Sequence, residues 1–430
     1  MKGQASGAAK GSQVSRGREG RLSAALGALA MGAVAVGGVA AWTTAASAQT
    51  PQPISVKLGV LNDRSGLYAD LSGEGSVIAT RMAVEDFKAA EKGIRVEIVT
   101  ADHQNKPDVG STIARQWYDQ DGVDVILDVP TSSVALAVSQ ITREKNRVHI
   151  NSGAATSDLT GKACAPGTIH WTYDTYALAQ GTGGAMVRAG GDSWFFLTAD
   201  YAFGHALERD TAAVVTRNGG RVVGAVRTPF PGTDFSSFLL QAQASRAKVV
   251  GLANAGGDTI NSIKQAGEFG ITAGGQKLAG LLVFLSDVHA LGLQTAQGLV
   301  LTEAFYWDQN DGTRAWSERF ARLNGGKRPT MVQAGVYSGT LHYLKAVEAA
   351  RSKDAAAVVA KMKELPTDDP LFGRGSVRTD GRKMHDMYLF EVKKPSESRG
   401  PWDYYRQVAV LKADDAFRPL SESECPLVRR

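Results

Sequence analysis

From residue 54 onward the hydrophobic positions of this chain alternate between two periods. Short runs rich in Val, Ile and Leu lie at 54–61, 94–100, 123–128 and 148–151. Between them, stretches at 79–90, 109–118 and 134–144 carry apolar residues at helical spacing. The runs suit strands and the stretches suit amphipathic helices. Strands separated by whole helices return to the same end of a sheet, so the alternation predicts βαβ units and parallel pairing. A second series then begins, with strands expected at 193–198, 221–226, 248–252, 277–282 and 298–302, and helices at 201–217, 235–244 and 259–269. Helical stretches follow at 312–323 and 331–350. An antiparallel pair is expected at 374–378 and 387–392, around the turn Thr379-Asp380-Gly381. The predicted fold class is α/β, two doubly wound parallel-sheet lobes with a ligand cleft where the carboxyl ends of their strands face each other.

The first 48 residues break this pattern. A basic stretch ends at Arg21, an apolar run covers 22–41, and Ala46-Ser47-Ala48 supplies small residues, which are the three parts of a secretory signal. Cleavage is expected after Ala48, the alternative being an uncleaved anchor, since the run is just long enough to span. Arg16 and Arg18 are separated by a glycine and do not make a twin pair, which favours general secretion. No cysteine lies near the cleavage position to take a lipid. The predicted location is therefore the periplasm.

Charge follows the same division. Of the formal +5, the segment 1–48 holds +4, which leaves +1 for the rest of the 430 residues. A nearly neutral body has no phosphate-seeking field, so nucleic acid is not an expected partner. Export also gives meaning to Cys164 and Cys425, because two cysteines in an oxidising compartment tend to pair. The bridge would tie the C-terminal tail to the body, and two free thiols are the alternative.

A search for catalytic chemistry returns little. The seven histidines are scattered, none at the spacing of a helical zinc site, and the two cysteines are too far apart for a metal cluster. Gly335-Val-Tyr-Ser-Gly339 has the wrong spacing for a nucleophile elbow, and no phosphate loop or dinucleotide fingerprint is present. No enzyme activity, metal or cofactor is predicted. The strand ends carry binding chemistry instead. After the strand at 123–128 come Pro130-Thr-Ser132-Ser133 and a helix, so the hydroxyls of Ser132 and Ser133 and nearby amides can receive a carboxylate or merely cap the helix. Asn151-Ser-Gly-Ala154-Ala155-Thr156 ends the next strand in small residues that let backbone approach a ligand. In the second series, Tyr201 and Phe203 open a helix, Asn254 lies in the glycine-rich loop 253–258, and Phe305-Tyr-Trp307 follows a strand as hinge or pocket lining.

Taken in order, four strings resemble the periplasmic solute-binding proteins of the leucine/isoleucine/valine-binding type over residues 52 to about 420. They are Leu58-Gly-Val-Leu-Asn-Asp-Arg-Ser-Gly-Leu-Tyr-Ala-Asp70, Ser132-Ser-Val-Ala-Leu-Ala137, Ser152-Gly-Ala-Ala-Thr-Ser-Asp-Leu-Thr160 and Asp200-Tyr-Ala-Phe-Gly204. The resemblance implies three hinge crossovers, closure on a ligand and delivery to ABC permease subunits in the inner membrane by a monomer. It implies one lobe of 52–173 plus 306–365, a second of 174–305 plus 366–420, and a tail of 421–430. It puts carboxylate contacts on Ser132 or Ser133 and on Ala154, Ala155 and Thr156, and aromatic walls on Tyr68 and Tyr201. The acidic residue that holds an amino acid's ammonium group in that family has no clear counterpart in Val283-Phe-Leu-Ser-Asp-Val-His289, although Asp287 is a possible substitute. Trp194-Phe-Phe-Leu-Thr-Ala-Asp-Tyr-Ala-Phe-Gly-His205 and Asp287-Val-His289 resemble the aromatic-acid branch. The expected ligand is thus a small aromatic carboxylate such as coumarate or benzoate, flanked by Tyr68, Tyr201 and Phe305, with Asp287 or His289 on a ring hydroxyl. Branched-chain amino acids, amides or urea-like compounds are the alternative ligands. A sensor for a membrane kinase, or an exported hydrolase on a similar scaffold, is the alternative class.

Overall fold

Nine parallel strands in two sheets carry the chain, and the computed structural model describes residues 53–428. The expected signal 1–48 and its cleavage position lie outside the described residues. The first sheet contains β1 (Ile54–Asn62), β2 (Ile94–Asp102), β3 (Val125–Asp128), β4 (Val148–Asn151) and β5 (Thr168–His170), in the order β2-β1-β3-β4-β5 and parallel throughout. Helices α1 (Gly73–Phe87), α2 (Pro107–Asp119) and α3 (Ser132–Glu144) connect them. All residues of β3 and β4 are buried, as expected of central strands covered on both faces.

The chain then crosses to the second sheet through α4 (Thr175–Leu178) and α5 (Gly184–Arg188), joined by a π-helical turn at Ala179–Gly183. That sheet contains β6 (Ser193–Ala199), β7 (Arg221–Thr228), β8 (Val249–Ala253) and β9 (Lys277–Gly280), in the parallel order β7-β6-β8-β9. Its connections are α6 (Ala202–Arg217), α7 (Ser236–Ala244) and α8 (Gly257–Glu268). α9 (Leu285–Leu291) and α10 (Leu293–Ala296) lead to β10 (Val300–Glu303). A second crossing takes the chain to α11 (Asp311–Leu323), α12 (Met331–Ala350) and α13 (Ala355–Glu364). α12 is buried along most of its length and packs on α1, β3 and β4, so these helices complete the first lobe.

The third crossing differs from expectation. β11 (Ser376–Val377) pairs with β12 (Lys383–Met384), while β13 (Met387–Val392) pairs with β10 and with β14 (Tyr405–Leu411). The turn at 379–381 is where the sequence placed it, but the hairpin closes within a few residues. The strand at 387–392 leaves to join the second lobe, where Phe390 and Val392 enter a core with Leu197 and Val250. Local patterning shows that both segments are extended; burial decides which partner each takes. The tail passes through α14 (Ala413–Ala416) to Cys425, which forms a disulfide with Cys164 in the loop between β4 and β5.

In each parallel sheet the strand order reverses once, between β1 and β3 and between β6 and β8. Loops diverge from the strand ends at such a point and leave a crevice.

Candidate functional site

Two loops at the first reversal form one wall of a cavity. After β1, the buried Asp63 accepts hydrogen bonds from the backbone N–H groups of Gly66 (2.8 Å) and Tyr68 (2.8 Å) and from Asn105 Nδ2 (2.6 Å). The loop curls around this carboxylate and presents Tyr68. A Cβ on Gly66 would lie 2.8 Å from an Asp63 oxygen, so the curl requires glycine there. After β3, Asp128 and Val129 have φ of 78° and 57°, a conformation that is costly for a β-branched residue. It turns the chain so that Pro130 meets the cavity and α3 starts at Ser132. Asp128 is fixed by Ser72 Oγ (2.7 Å) and Asn62 Nδ2 (3.1 Å). The N-cap Thr131 donates its hydroxyl to Asn105 and no side chain caps the first amides of α3.

The second reversal supplies the opposite wall. Tyr201 sits at the N-cap of α6, its ring stacked on Phe230 with centroids 3.8 Å apart. Gly256, in the loop after β8, has φ 56°, and a Cβ there would approach Leu67 O to 2.7 Å and Tyr68 Cδ1 to 3.0 Å. The loops of the two lobes therefore touch, and the hydroxyls of Tyr68 and Tyr201 are hydrogen-bonded at 2.6 Å. Farther along, Arg209 on α6 reaches Asp158 (3.0 Å) and Ser157 Oγ (2.8 Å), and Ser157 Oγ donates to Asp210 (2.7 Å). The crevice is closed. What remains is a narrow gap of about 10 Å³, lined by Tyr68, Leu71, Pro130, Gly153, Ala155, Tyr173, Tyr201, Phe203, Ala255, Leu282 and Phe284.

None of these lining residues is charged. Burial pushes the Tyr68, Tyr173 and Tyr201 hydroxyls up, so all three are neutral donors and acceptors near pH 7. Carboxyls stand behind them. Burial raises Asp258, which interacts with Tyr68 and Tyr201, to about 7. Asp287 is also raised to about 7 by burial, and it accepts the Phe284 N–H at 2.9 Å. Glu303 on β10 is raised by burial and then by Asp287, and Asp128 by burial. The arrangement has hydroxyls and small-residue backbone in the first layer, acids raised by burial in the next, and no cation in the lining. It suits recognition rather than bond making.

A family model described as periplasmic binding protein matches residues 55–400. The chain belongs to that family. The matched proteins are substrate-binding components of ABC transporters, not enzymes, and the family is periplasmic. A periplasmic binding protein from Burkholderia mallei has 52% identity and a TM-score of 0.85, with 87% of this chain and 99% of that one covered. A branched chain amino acid ABC transporter periplasmic ligand-binding protein from Burkholderia xenovorans has 41% identity and a TM-score of 0.78, covering 87% and 100%. A solute-binding protein of an ABC transporter from R. palustris, in complex with 4-hydroxybenzoate, shares the fold at 22% identity and a TM-score of 0.75, covering 84% and 97%.

In this periplasmic binding protein, the structure brings Tyr68, Ala155 and Tyr201 to the cavity, while Ser132, Ser133, Ala154 and Thr156 do not line it and are only chain neighbours of the lining residues Pro130, Gly153 and Ala155. Ser132 Oγ accepts the Thr156 N–H (3.3 Å), stitching the loop after β3 to the loop after β4. The Ala154 N–H already bonds Asn151 Oδ1 (3.2 Å), and Thr156 caps the short turn Ser157–Leu159. Four further expected contacts are engaged elsewhere. Asn254 is spent on Ser262 (3.0 Å) and Thr259 (2.7 Å), and the adjacent Ala255 lines the cavity. Asp287 caps α9. His289 is exposed, stacked on Trp402 at 3.9 Å and bonded to Tyr404 OH at 2.7 Å. Phe305 is core, edge-on to Trp316, while Tyr306 and Trp307 both donate to Trp402 O and pack the second crossing. Missed by sequence reasoning were Tyr173, whose hydroxyl donates to Gly153 O (2.5 Å), and the wall residues Leu71, Leu282 and Phe284. Tyr173 follows a three-residue strand too short to show a period.

Proposed function

We propose that this protein captures a small organic acid bearing one negative charge, foremost an aromatic carboxylate of the benzoate or coumarate kind, and delivers it to ABC permease subunits. The observation that carries this reading is the interlobe cavity. Its walls are aromatic and aliphatic, its polar groups are tyrosine hydroxyls and backbone, and it adjoins the uncapped start of α3. Uncapped first-turn amides and the helix dipole favour a carboxylate, and the rings of Tyr68, Tyr173, Tyr201 and Phe284 would pack on a flat ligand admitted when the lobes part. In this reading Ser133, Ala155 and Thr156 hold the carboxylate, and Tyr68 and Tyr201 close over the ring. The moving bodies are 52–173 plus 306–365 and 174–305 plus 366–420, and the mature chain begins after Ala48. The 4-hydroxybenzoate complex of a fold relative is consistent with it.

A second reading has its own support. Asp258 keeps Oδ2 without a hydrogen-bond partner beside the tyrosine pair, which suits the ammonium group of a branched-chain amino acid. The 41% identical structure is named for such a transporter. Thermal-shift assays followed by calorimetry with benzoate, 4-hydroxybenzoate, coumarate, leucine and valine separate the two. A ligand at a hundred times its Kd adds about 2.7 kcal/mol of stability. Heat from leucine or valine, with none from the three aromatic acids, rules out the first reading.

A further inference from the structure

The C-terminal tail leaves the second lobe and ends on the first. β14 belongs to the sheet of β10 and β13, and its Tyr405 shares a core with Leu197 and Val250 of the second parallel sheet. Beyond α14, Phe417 is buried beneath the Arg382 guanidinium, 4.3 Å from its ring centroid. Arg418 lies over the Tyr176 ring at 4.8 Å and reaches Asp210 on α6 at 3.4 Å, and its carbonyl accepts from Arg378 Nη1 at 2.9 Å. The chain then reaches Cys425, which is bonded to Cys164 between two strands of the first sheet. Both cysteines are buried.

Three backbone crossings already join the lobes, and we propose that this strap is a fourth, covalent connection that limits how far they open. Arg382 bridges His170 of β5, so Phe417 already rests on the first lobe, and the stretch from Leu411 at the end of β14 to Phe417 spans at most roughly 20 Å even when fully extended. The strap also meets the clasp that holds the lobes together. Asp210 accepts from Arg418, from Ser157 and from Thr175 Oγ1 (2.6 Å), while the adjacent Arg209 grips Asp158. Separating Ser157 and Asp158 from α6 therefore pulls on the same carboxylate that anchors the tail. The strap acts on the open end of the equilibrium, so it raises the fraction of molecules near closure before any ligand arrives. This consequence is independent of which ligand the cavity takes.

The test uses the mature protein without ligand. Small-angle scattering gives the radius of gyration, and hydrogen exchange reports protection of segments 66–72 and 254–258, where the lobes touch. Two variants are compared with wild type. One is Cys164→Ser with Cys425→Ser. The other keeps the disulfide and inserts about six Gly/Ser residues after Leu411, adding roughly 20 Å of reach. Both are expected to show a larger radius of gyration and lower protection in the two segments. If the serine pair fails to fold, the lengthened strap decides alone. A lengthened strap with wild-type radius and protection overturns the proposal, whatever the serine pair does.

Discussion

Single residues show where the chain tolerates cost. Lys383 is wholly buried, its Nζ 4.3 Å from the Phe372 centroid and without a hydrogen-bond partner, and burial pulls it down to about 7. Asp369 opposes that shift, while Arg382 adds to it. An unfolded lysine titrates at 10.4 or so, so between about 7 and 10 the unfolded chain binds more protons and stability rises with pH. Below 7 the penalty is complete. Lys383→Met keeps the stem's packing and removes the charge. It is expected to raise the unfolding midpoint most at pH 6, by about 1–3 kcal/mol, and least near pH 10, as read from melts across that range. On the proposed carboxylate contacts, Thr156→Ala and Ser133→Ala should each weaken binding of the recognised acid by about ten- to a hundredfold, since a charge-assisted hydrogen bond contributes about 1.5–3 kcal/mol. Calorimetry checks this, and unchanged affinity in both variants places the carboxylate elsewhere.

At the scale of elements, the loop between β1 and α1 is the most exacting part of the site. One buried carboxylate, Asp63, organises Gly66, Tyr68 and Asn105, and Asn105 in turn accepts from Thr131 before α3. Asp63→Ala leaves several buried donors unmet. It is expected to cost about 2–4 kcal/mol of stability and to lower ligand affinity by releasing Tyr68, as measured by denaturation and calorimetry on the same preparation. The parallel strands and their helices were legible from period alone because each buries a stripe of regular spacing. β5 was not, at three residues. The pairing of β13 was not either, because several edges offered it the same backbone groups. Asn254 shows a third limit. The loop after β8 was rightly placed at a strand end, yet hydrogen bonds to Thr259 and Ser262 turn its one amide side chain inward.

The molecule as a whole couples charge and closure. Acids from both halves surround the cavity, Asp128 from the first and Asp258, Asp287 and Glu303 from the second, and burial raises each. An anionic ligand entering this field raises Asp258 and Asp287 further, so binding takes up protons. Affinity for a monocarboxylate is therefore expected to fall as pH rises from 6 to 8. Calorimetry in buffers of different ionisation enthalpy should show proton uptake near pH 7. The disulfide spans a sequence separation of 261. Its removal is expected to lower stability by up to about 5 kcal/mol in the chain-entropy description, visible as a shift in denaturant midpoint.

Tyr68 came from the family resemblance, while period, composition and residue order were enough to determine the two α/β halves, the strand ends that lie at the crevice, and Tyr201 at a helix start there. These follow from local rules, because a strand end and a helix start are defined by neighbours in the chain. The tertiary structure alone decided that Tyr173 and Phe284 complete the cavity, that His289 faces solvent, that β13 joins β10, and that the C-terminal tail straddles both halves. Each depends on which distant surfaces bury one another, and a residue's own sequence neighbours carry no record of that.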